Sequence, residues 1–557
     1  MVRKLLIVVL LAGCQWVDPE RIACEEDDEC PAGFSCLLDA PDAFPPGHCA
    51  QGAGGDDDDA VDDDDAVDDD DAVDDDDAAD DDDVVGTDSD GDGWAAPEDC
   101  DDSDPAIRPD AWDPAGDGVD GDCDGGDGIL LSSAIAWVDG LASANGAAGT
   151  AVAFVGDYDG DGWGDFALAG PQSGEVTVVA GELALYQGGS LIPGDLGTVV
   201  LDGPSLFGFS IAGPGDVDGD GLADVLVGAP SGRSAVYVYS GAQLVPTTSL
   251  GWADAWVELQ LYDYAPDGNS WTDSGMGADV EGLGDFDGGG RADFVVGAPQ
   301  AGADDHGRVL VFRGEDLTGG SPDVDATVHW SITGDQDSAF GDAVAGPGDF
   351  NGDGYVDVAW GDPFRPSGAG QVCVVSGGSI LIGGDQFSPL GNCAVGGANL
   401  YGGDVLVGVS DLDGDGRRDL LAHDLAGLAV LRSNFDAGSD VTWTSLLSIP
   451  GAGIDGFWGG DVDGDGLGDI VASAAVPGAP GVVGAAVFLG AGSLAAAQVA
   501  GATQLLVADA DAHIWSGGSD SVRPAIATGD LNGDGRDDLL IRHSDGGSER
   551  VSIILGR

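Results

Sequence analysis

Seven short stretches of this chain carry carboxylates at a spacing that could hold a cation. The first reads Asp157-Tyr158-Asp159-Gly160-Asp161-Gly162-Trp163-Gly164-Asp165, with aspartates at positions 1, 3, 5 and 9 and glycines at 4 and 6. The second supplies Asp216, Asp218, Asp220 and Asp224, the fifth Asp411, Asp413, Asp415 and Asp419, and the sixth Asp461, Asp463, Asp465 and Asp469. Three copies depart from this set. The third has Asp285, Asp287 and Asp293 but Gly289 at position 5; the fourth has Asp349, Asn351, Asp353 and Asp357; the seventh has Asp530, Asn532, Asp534 and Asp538. A hard cation such as Ca²⁺ takes six to eight oxygens at about 2.3–2.6 Å, and alternate carboxylates on a tightly curled backbone converge on one point. Glycine at position 6 permits the curl, as in the first half of an EF-hand loop, and the carbonyl of position 7 can add a neutral oxygen. Aspartate at position 9 closes the cage without a following helix. One such loop could be a plain Asp-Gly turn; seven with the same spacing point to metal. Asn351 and Asn532 keep an oxygen but lose a charge, and Gly289 loses both, so the third copy is expected to bind most weakly.

Each loop must sit between strands. Apolar runs such as Ala151-Val152-Ala153-Phe154-Val155 precede it, and runs such as Val225-Leu226-Val227-Gly228-Ala229-Pro230 follow it. A third run comes next, at Glu175–Ala180 or Ala235–Ser240, and in most copies glycine follows it; a looser fourth run is seen at Thr198–Leu201, Val257–Leu261 and Ala326–Ile332. Successive loops begin 59, 69, 64, 62, 50 and 69 residues apart. Four antiparallel strands per repeat, seven times over, predict an all-β, seven-bladed propeller of four-stranded blades. The last repeat has no fourth run, and Ile129–Val138, before the first loop, reads like one. It is expected to close the ring as an N-terminal outer strand.

The repeats resemble the FG-GAP repeats of integrin α-chain propellers. The second copy has Phe207-Gly208, the Asp216 loop and Gly228-Ala229-Pro230; the third has Met276-Gly277 and Gly297-Ala298-Pro299; the fourth has Phe340-Gly341 and Gly361-Asp362-Pro363. The fifth keeps Tyr401-Gly402 and loses Gly-Ala-Pro, while copies 1, 6 and 7 keep the metal loop and little else. The resemblance covers residues 129–557. It implies Ca²⁺ in the hairpin between the first two strands of each blade, up to seven ions in all. It also implies a binding role such as cell adhesion, not catalysis, and a partner face opposite the metal hairpins, built from the 2–3 and 4–1 loops. Candidates there are Asp263–Gly275, with Tyr264, Trp271 and nearby Trp256, and Ala301–Gly307. The alternative for the aromatics is that they fill gaps between blades.

The rest of the chain divides into four segments. Residues 1–13 form a basic, then apolar stretch too short to span a bilayer. With Leu11-Ala12-Gly13-Cys14 it resembles a bacterial lipoprotein signal peptide, which implies lipid on Cys14 and an outer-membrane or cell-surface location. The other eight cysteines are an even number in an exported chain, which favours disulfides. Cys24, Cys30, Cys36 and Cys49 lie in a small segment, 14–50, whose pairing cannot be read; Cys373 and Cys393 fall on neighbouring strands of one blade. Residues 51–87 contain five blocks of four aspartates and read as a disordered spacer, since such a run repels itself and has little to bury. Residues 88–128 begin with an EF-hand-like spacing, Asp88, Asp90, Asp92 and Asp99. They resemble a MopE-type metal-binding motif, related in style to thrombospondin type 3 repeats; Asp110 and Asp113 depart from the family pattern, and Cys100 and Cys123 look like its disulfide. All-oxygen ligands favour Ca²⁺ here, one ion or more.

Seventeen basic against 103 acidic residues, a net charge of −86, exclude nucleic acid as a partner and leave a lipid anchor as the only expected tie to membrane. The six histidines make no pair at ligand spacing, and no nucleophile elbow or phosphate loop stands out. The chain is therefore expected to be no enzyme, but a calcium-binding surface protein for an unknown protein or glycan ligand. The alternatives are a polysaccharide hydrolase or lyase on a propeller scaffold, or a purely structural envelope protein.

Overall fold

The computed structural model describes 34–37, 48–51 and, with gaps, 88–557; the larger gaps are 112–118, 139–150, 182–188, 192–197, 265–270, 364–370, 388–391, 396–405, 433–443 and 516–521. Cys14, Cys24, Cys30, Asp92, Asp110, Asp113, Asp413, Tyr401, Gly402 and the aspartate blocks lie outside the described residues. Two units result, Met1–Val84 and Val85–Arg557. In the first, Phe34–Leu37 pairs antiparallel with His48–Gln51, with Cys36 opposite Cys49.

The second unit is a seven-bladed propeller. Blade 2 shows the plan: Ile211–Gly215 innermost, then Asp224–Ala229, Ala235–Tyr239 and Val257–Gln260 outermost, each antiparallel to the next. The second strand is buried along its whole length, which is why it reads as a continuous apolar run. The first strands of neighbouring blades touch in cyclic order, and the ring closes where Val522–Gly529 of blade 7 meets Ala151–Gly156 of blade 1. These strands approach closely: a Cβ on Gly282 would stand 2.6 Å from the Pro214 Cα of the blade before, and one on Gly408 would stand 2.6 Å from the Pro347 Cα. Glycine is needed at those points for space alone.

Among the described residues the core is divided into seven apolar clusters, each between two adjacent blades. Blades 1 and 2, for example, bury Val178, Val199 and Leu201 against Phe207, Val227 and Tyr237. The expected closure is present. Ala136–Val138 pairs antiparallel with Ser548–Ile554 as the fourth strand of blade 7. One fourth run is shorter than its sequence implies, because Val324–Thr327 is a helical turn capped by Asp323 and the strand begins only at Trp330.

The Phe-Gly and Gly-Ala-Pro elements meet at the end of the blade away from the metal loops. Phe207 is fully buried against Tyr237 and Tyr239, and Phe340 against Trp360. The glycine after each donates its N–H to the first glycine of Gly-Ala-Pro or its equivalent: Gly208 to Gly228 O at 3.0 Å, Gly277 to Gly297 O at 3.0 Å, Gly341 to Gly361 O at 2.8 Å. A side chain on Gly228 would collide with the Gly277 carbonyl of the next blade. The motif thus closes one blade and docks its neighbour.

Candidate metal centre

In the second loop every aspartate is tied to the backbone. Asp216 Oδ1 accepts from the N–H of Gly219 (2.6 Å) and Asp220 (3.0 Å), and its Oδ2 from Gly221 (2.8 Å). Asp218 accepts from the Asp220 N–H at 3.0 Å and Asp220 from the Leu222 N–H at 2.9 Å. Gly219 and Gly221 take φ of 81° and 93°, the left-handed conformation that glycine adopts without a steric penalty. The residues that could hold a metal are thus also those that shape the turn.

Position 9 does something the spacing did not reveal. Asp165, Asp224, Asp293, Asp357, Asp419, Asp469 and Asp538 are all buried. Asp224 Oδ2 accepts from the Val217 N–H at 2.7 Å, inside the loop, while Oδ1 accepts from the Gly241 N–H at 2.8 Å, just past the third strand. The same pair of bonds recurs for Asp165 with Tyr158 and Gly181, Asp293 with Phe286 and Gly314, and Asp357 with Asn351 and Gly377. Asp469 bonds Val462 and Gly490 likewise, and Asp538 bonds Leu531 and Gly556. In these six blades the glycine two positions past the third strand is thus the partner residue that carboxylate spacing could not identify; the fifth blade has Ser433-Asn434 there. Adjacent loops are also linked to each other: the N–H of position 8 donates to the position-1 carbonyl of the preceding loop, as from Ala223 to Asp157 (3.0 Å), Gly468 to Asp411 (2.9 Å) and Asp537 to Asp461 (2.8 Å).

Among the described residues, single ligand atoms of Asp157, Asp159 and Asp165 lie within 4.8 Å of one another, as do those of Asp216, Asp218 and Asp224, of Asp285, Asp287 and Asp293, and of Asp461, Asp463 and Asp465. Two oxygens across a Ca²⁺ ion at about 2.4 Å each stand about 4.8 Å apart, so these all-oxygen sets fit a hard divalent cation. In the fourth loop Nδ2 of Asn351 donates to Asp353 and Asp357, and in the seventh Nδ2 of Asn532 donates to Asp534. The amide supplies positive partial charge where position 3 of the other loops carries a carboxylate. The fifth loop holds Asp415 and Asp411 in the same turn, and Leu412 donates to Asp419.

The segment before the propeller is less convergent. Asp88 accepts from the Gly91 N–H, and Asp99 is buried, with Oδ1 accepting from Asp101 and Oδ2 without a hydrogen-bond partner. The described members of the set Asp88, Asp90 and Asp99 form no group like those in the blade loops. Cys100 and Cys123 are joined by a disulfide. Asp122 is buried and accepts from the Arg557 guanidinium at 2.9 Å, which fastens this segment to the end of blade 7. Cys373 is disulfide-bonded and lies opposite Cys393 in the strand register. Of the candidate partner-face residues, Trp256 is half-buried and packs on the apolar cluster between blades 2 and 3, so it fills an interblade gap. Tyr264 and Trp271 are register partners in a short hairpin, Tyr262–Tyr264 with Trp271–Asp273, in the 4–1 connection between the same blades.

Burial pushes the position-9 carboxyls upward. Asp165 is raised to about 9, Asp469 to about 8, and Asp224, Asp293, Asp357 and Asp538 to about 7, in each case chiefly by desolvation, with neighbouring aspartates adding to it and the backbone N–H bonds opposing it.

Fold and loops together define the class, a seven-bladed β-propeller with an aspartate-rich loop in the first hairpin of each blade. A family model for the FG-GAP repeat matches residues 207–239, 340–375 and 523–554. The third of these is the seventh copy, which lacks both dipeptide landmarks, so its likeness to the family extends beyond the metal loop; its strands and loop keep the spacing without the landmarks. The chain is similar over part of its length to integrin alpha chains. It is 32% identical to integrin alpha-7 of Homo sapiens over 254 residues, 43% of this chain and 18% of that one. It is 29% identical to integrin alpha-PS2 of Drosophila melanogaster over 233 residues, 37% of this chain and 14% of that one. With integrin alpha-IIb of Homo sapiens it shares 38% over 101 residues, 17% and 9% of the two chains. The chain thus spans under a fifth of the length of these relatives.

Two outcomes are expected. Asp224→Ala leaves the Val217 and Gly241 N–H groups buried without acceptors, at about 1–3 kcal/mol each. In chelator it should therefore destabilise the propeller by several kcal/mol, and Asp220→Ala by much less, in denaturant titrations. The second concerns pH. A carboxyl raised in the folded state binds its proton more tightly there, so its contribution to stability is full below the ordinary value near 3.8 and is lost as pH rises through about 7 to 9. The melting temperature in chelator should fall as pH rises from about 4 to about 7, and more gently to about 9 as Asp469 and Asp165 ionise, and Ca²⁺ should reverse the fall. A flat chelator profile over that range would contradict the assignment.

Proposed function

We propose that this protein is a calcium-loaded surface propeller that binds a protein partner and performs no chemistry on it. The observation that carries the reading is the similarity to integrin alpha chains in a chain whose repeats are FG-GAP repeats. The all-oxygen loops support Ca²⁺ as a structural ion, up to seven in the propeller. Its ligands are the aspartates at positions 1, 3, 5 and 9, with Asn351 and Asn532 at position 3 of the fourth and seventh loops. Ca²⁺ in the 88–125 motif belongs to the same reading, with the buried, half-satisfied Asp99 as its strongest ligand candidate. The partner face is the one carrying the 2–3 and 4–1 loops, opposite the metal hairpins. The acidic tract spaces the propeller from an anchor at a lipidated Cys14 at the bacterial cell surface, and no helix among the described residues is long and apolar enough to cross a membrane.

Arrays of extracellular proteins and of glycans, probed with the full chain in Ca²⁺ and in chelator, test the reading. Calcium-dependent retention on a protein, without turnover, is the expected result; conversion of a glycan would replace the binding reading with an enzymatic one. The anchor is tested separately. Cys14→Ser should move the protein from the membrane fraction to the soluble fraction, and an unchanged distribution with no acyl mass on the wild type would remove the lipid.

A further inference from the structure

The third loop differs from the others by more than its missing carboxylate. In blades 2 and 4 the residue after the third strand is a serine whose hydroxyl donates to the position-5 aspartate: Ser240 to Asp220 at 2.9 Å, Ser376 to Asp353 at 2.5 Å. Blade 3 has Arg313 at that place and Gly289 at position 5. With no carboxylate to meet at position 5, the guanidinium reaches into the loop. Its Nη1 lies 3.2 Å from Asp287 Oδ2 and 3.2 Å from Glu315 Oε1, and its Nη2 lies 2.7 Å from Asp316. Asp287 is the position-3 ligand and its side chain is only 6% exposed. Its other oxygen accepts from the Gly289 N–H at 2.8 Å, so both oxygens are engaged. Glu315 fills the space left by the missing side chain: a Cβ built on Gly289 would collide with its Oε2.

The carboxylates of Asp285, Asp287 and Asp293 converge as those of the same three positions do in the first and second loops. Arginines lie beside other loops too, Arg536 near Asp463 of the sixth and Arg291 against Gly219 of the second, but in the third the guanidinium is ion-paired directly to the position-3 aspartate. A divalent ion seated on Asp287 would lie within a few ångströms of that guanidinium, and like charges at such range in a half-buried site repel strongly. An arginine stays protonated throughout the range in which proteins fold, and its planar fork can hold several carboxylates at once. It can supply permanently the compensating charge that the other loops must take from solution.

We propose that Arg313 is the resident cation of the third loop, which folds without a divalent ion while the other loops take theirs from solution. The assignment rests on the calcium reading of those other loops. Calcium itself is the probe, counted per full-length chain by equilibrium dialysis. Asp218→Ala, in the second loop, should lose one ion per chain, and the matched Asp287→Ala should lose none. Arg313→Ser combined with Gly289→Asp, which restores the serine and carboxylate of blade 2, should gain one, with Glu315 swinging aside. Loss of one ion in Asp287→Ala would overturn the proposal. No loss in Asp218→Ala would instead overturn calcium in the blade loops, and this assignment with it. Should Asp287→Ala fail to fold, crystals of the wild type grown in calcium decide the matter: anomalous density in the second loop and none in the third supports Arg313, and density in both refutes it.

Discussion

The propeller depends on a buried carboxylate that joins two parts of the blade in six of its seven blades. The position-9 aspartate accepts one N–H from within its own hairpin and another from the glycine that follows the third strand, as Asp224 does with Val217 and Gly241. Two backbone donors that would otherwise be buried without partners are satisfied by one side chain, at a site where each orphaned donor costs about 1–3 kcal/mol. The same carboxylate is costly to bury while charged. It must therefore share a proton or a cation, and the curl of positions 1 to 5 gathers further carboxylates around it. On the calcium reading, the metal site is what allows the hairpin and the third strand to be tied by a charged group at all.

The opposite end of the blade solves a different problem with uncharged groups. There Phe207 is the apolar plug, Gly208 donates to Gly228, and the bare Cα of Gly228 leaves room for the Gly277 carbonyl of the next blade. Since the apolar clusters all lie between blades and none within one, each blade is completed by its neighbours. Charge fixes the loop end and close backbone packing fixes the motif end. Substituting either end therefore disturbs two blades, not one.

Much of this was legible in the sequence, and for identifiable reasons. Strand and loop recur with a fixed internal spacing, so the blade count, the strand order and a closing strand within Ile129–Val138 could be read from pattern; that only Ala136–Val138 joins blade 7 while Ile129–Leu130 pairs with blade 6 could not. The convergence of the loop carboxylates was legible because their spacing on alternate positions recurs seven times. The second role of Asp224 was not, since its partner Gly241 lies 17 residues away and a glycine after a strand has many causes. Arg313 was hidden for a similar reason. Nothing near Gly289 in the chain indicates that a residue 24 positions later occupies its loop; only the alignment of Arg313 with Ser240 and Ser376 in three dimensions exposes it. Landmark dipeptides also misled in one place, because the seventh copy keeps the repeat without them.

The perimeter shows how a ring of separate sheets avoids exposed edges. An outermost strand presents unpaired N–H and C=O groups that invite further pairing. In most blades the stretch between the third and fourth strands reaches back to the preceding blade and pairs in parallel with its outer strand. Ser249–Gly251 of blade 2 adds to Thr198–Asp202 of blade 1, and Gly384–Phe387 of blade 4 adds to Trp330–Thr333 of blade 3. Gly189–Leu191 of blade 1 adds to Ala136–Val138 of blade 7, and Gly320 and Gln504 make single bridges to Val257 and Ser448 in the same sense. Ile129–Leu130, which leads into the fourth strand of blade 7, covers Ala512–Trp515 of blade 6. The N-terminal part of the propeller therefore completes one blade and also caps another, so the joint between its two ends follows the same pairing rule as the joints between consecutive blades. With first strands in contact at the axis, loop bonded to loop on one face, Phe-Gly docked on Gly-Ala-Pro at the other and a connector latched at the rim, blades 2 and 3 are held at four places, and most other neighbours at three. That redundancy is what lets copies 1, 6 and 7 lose the motif dipeptides and copy 3 lose a loop carboxylate while the ring keeps its geometry.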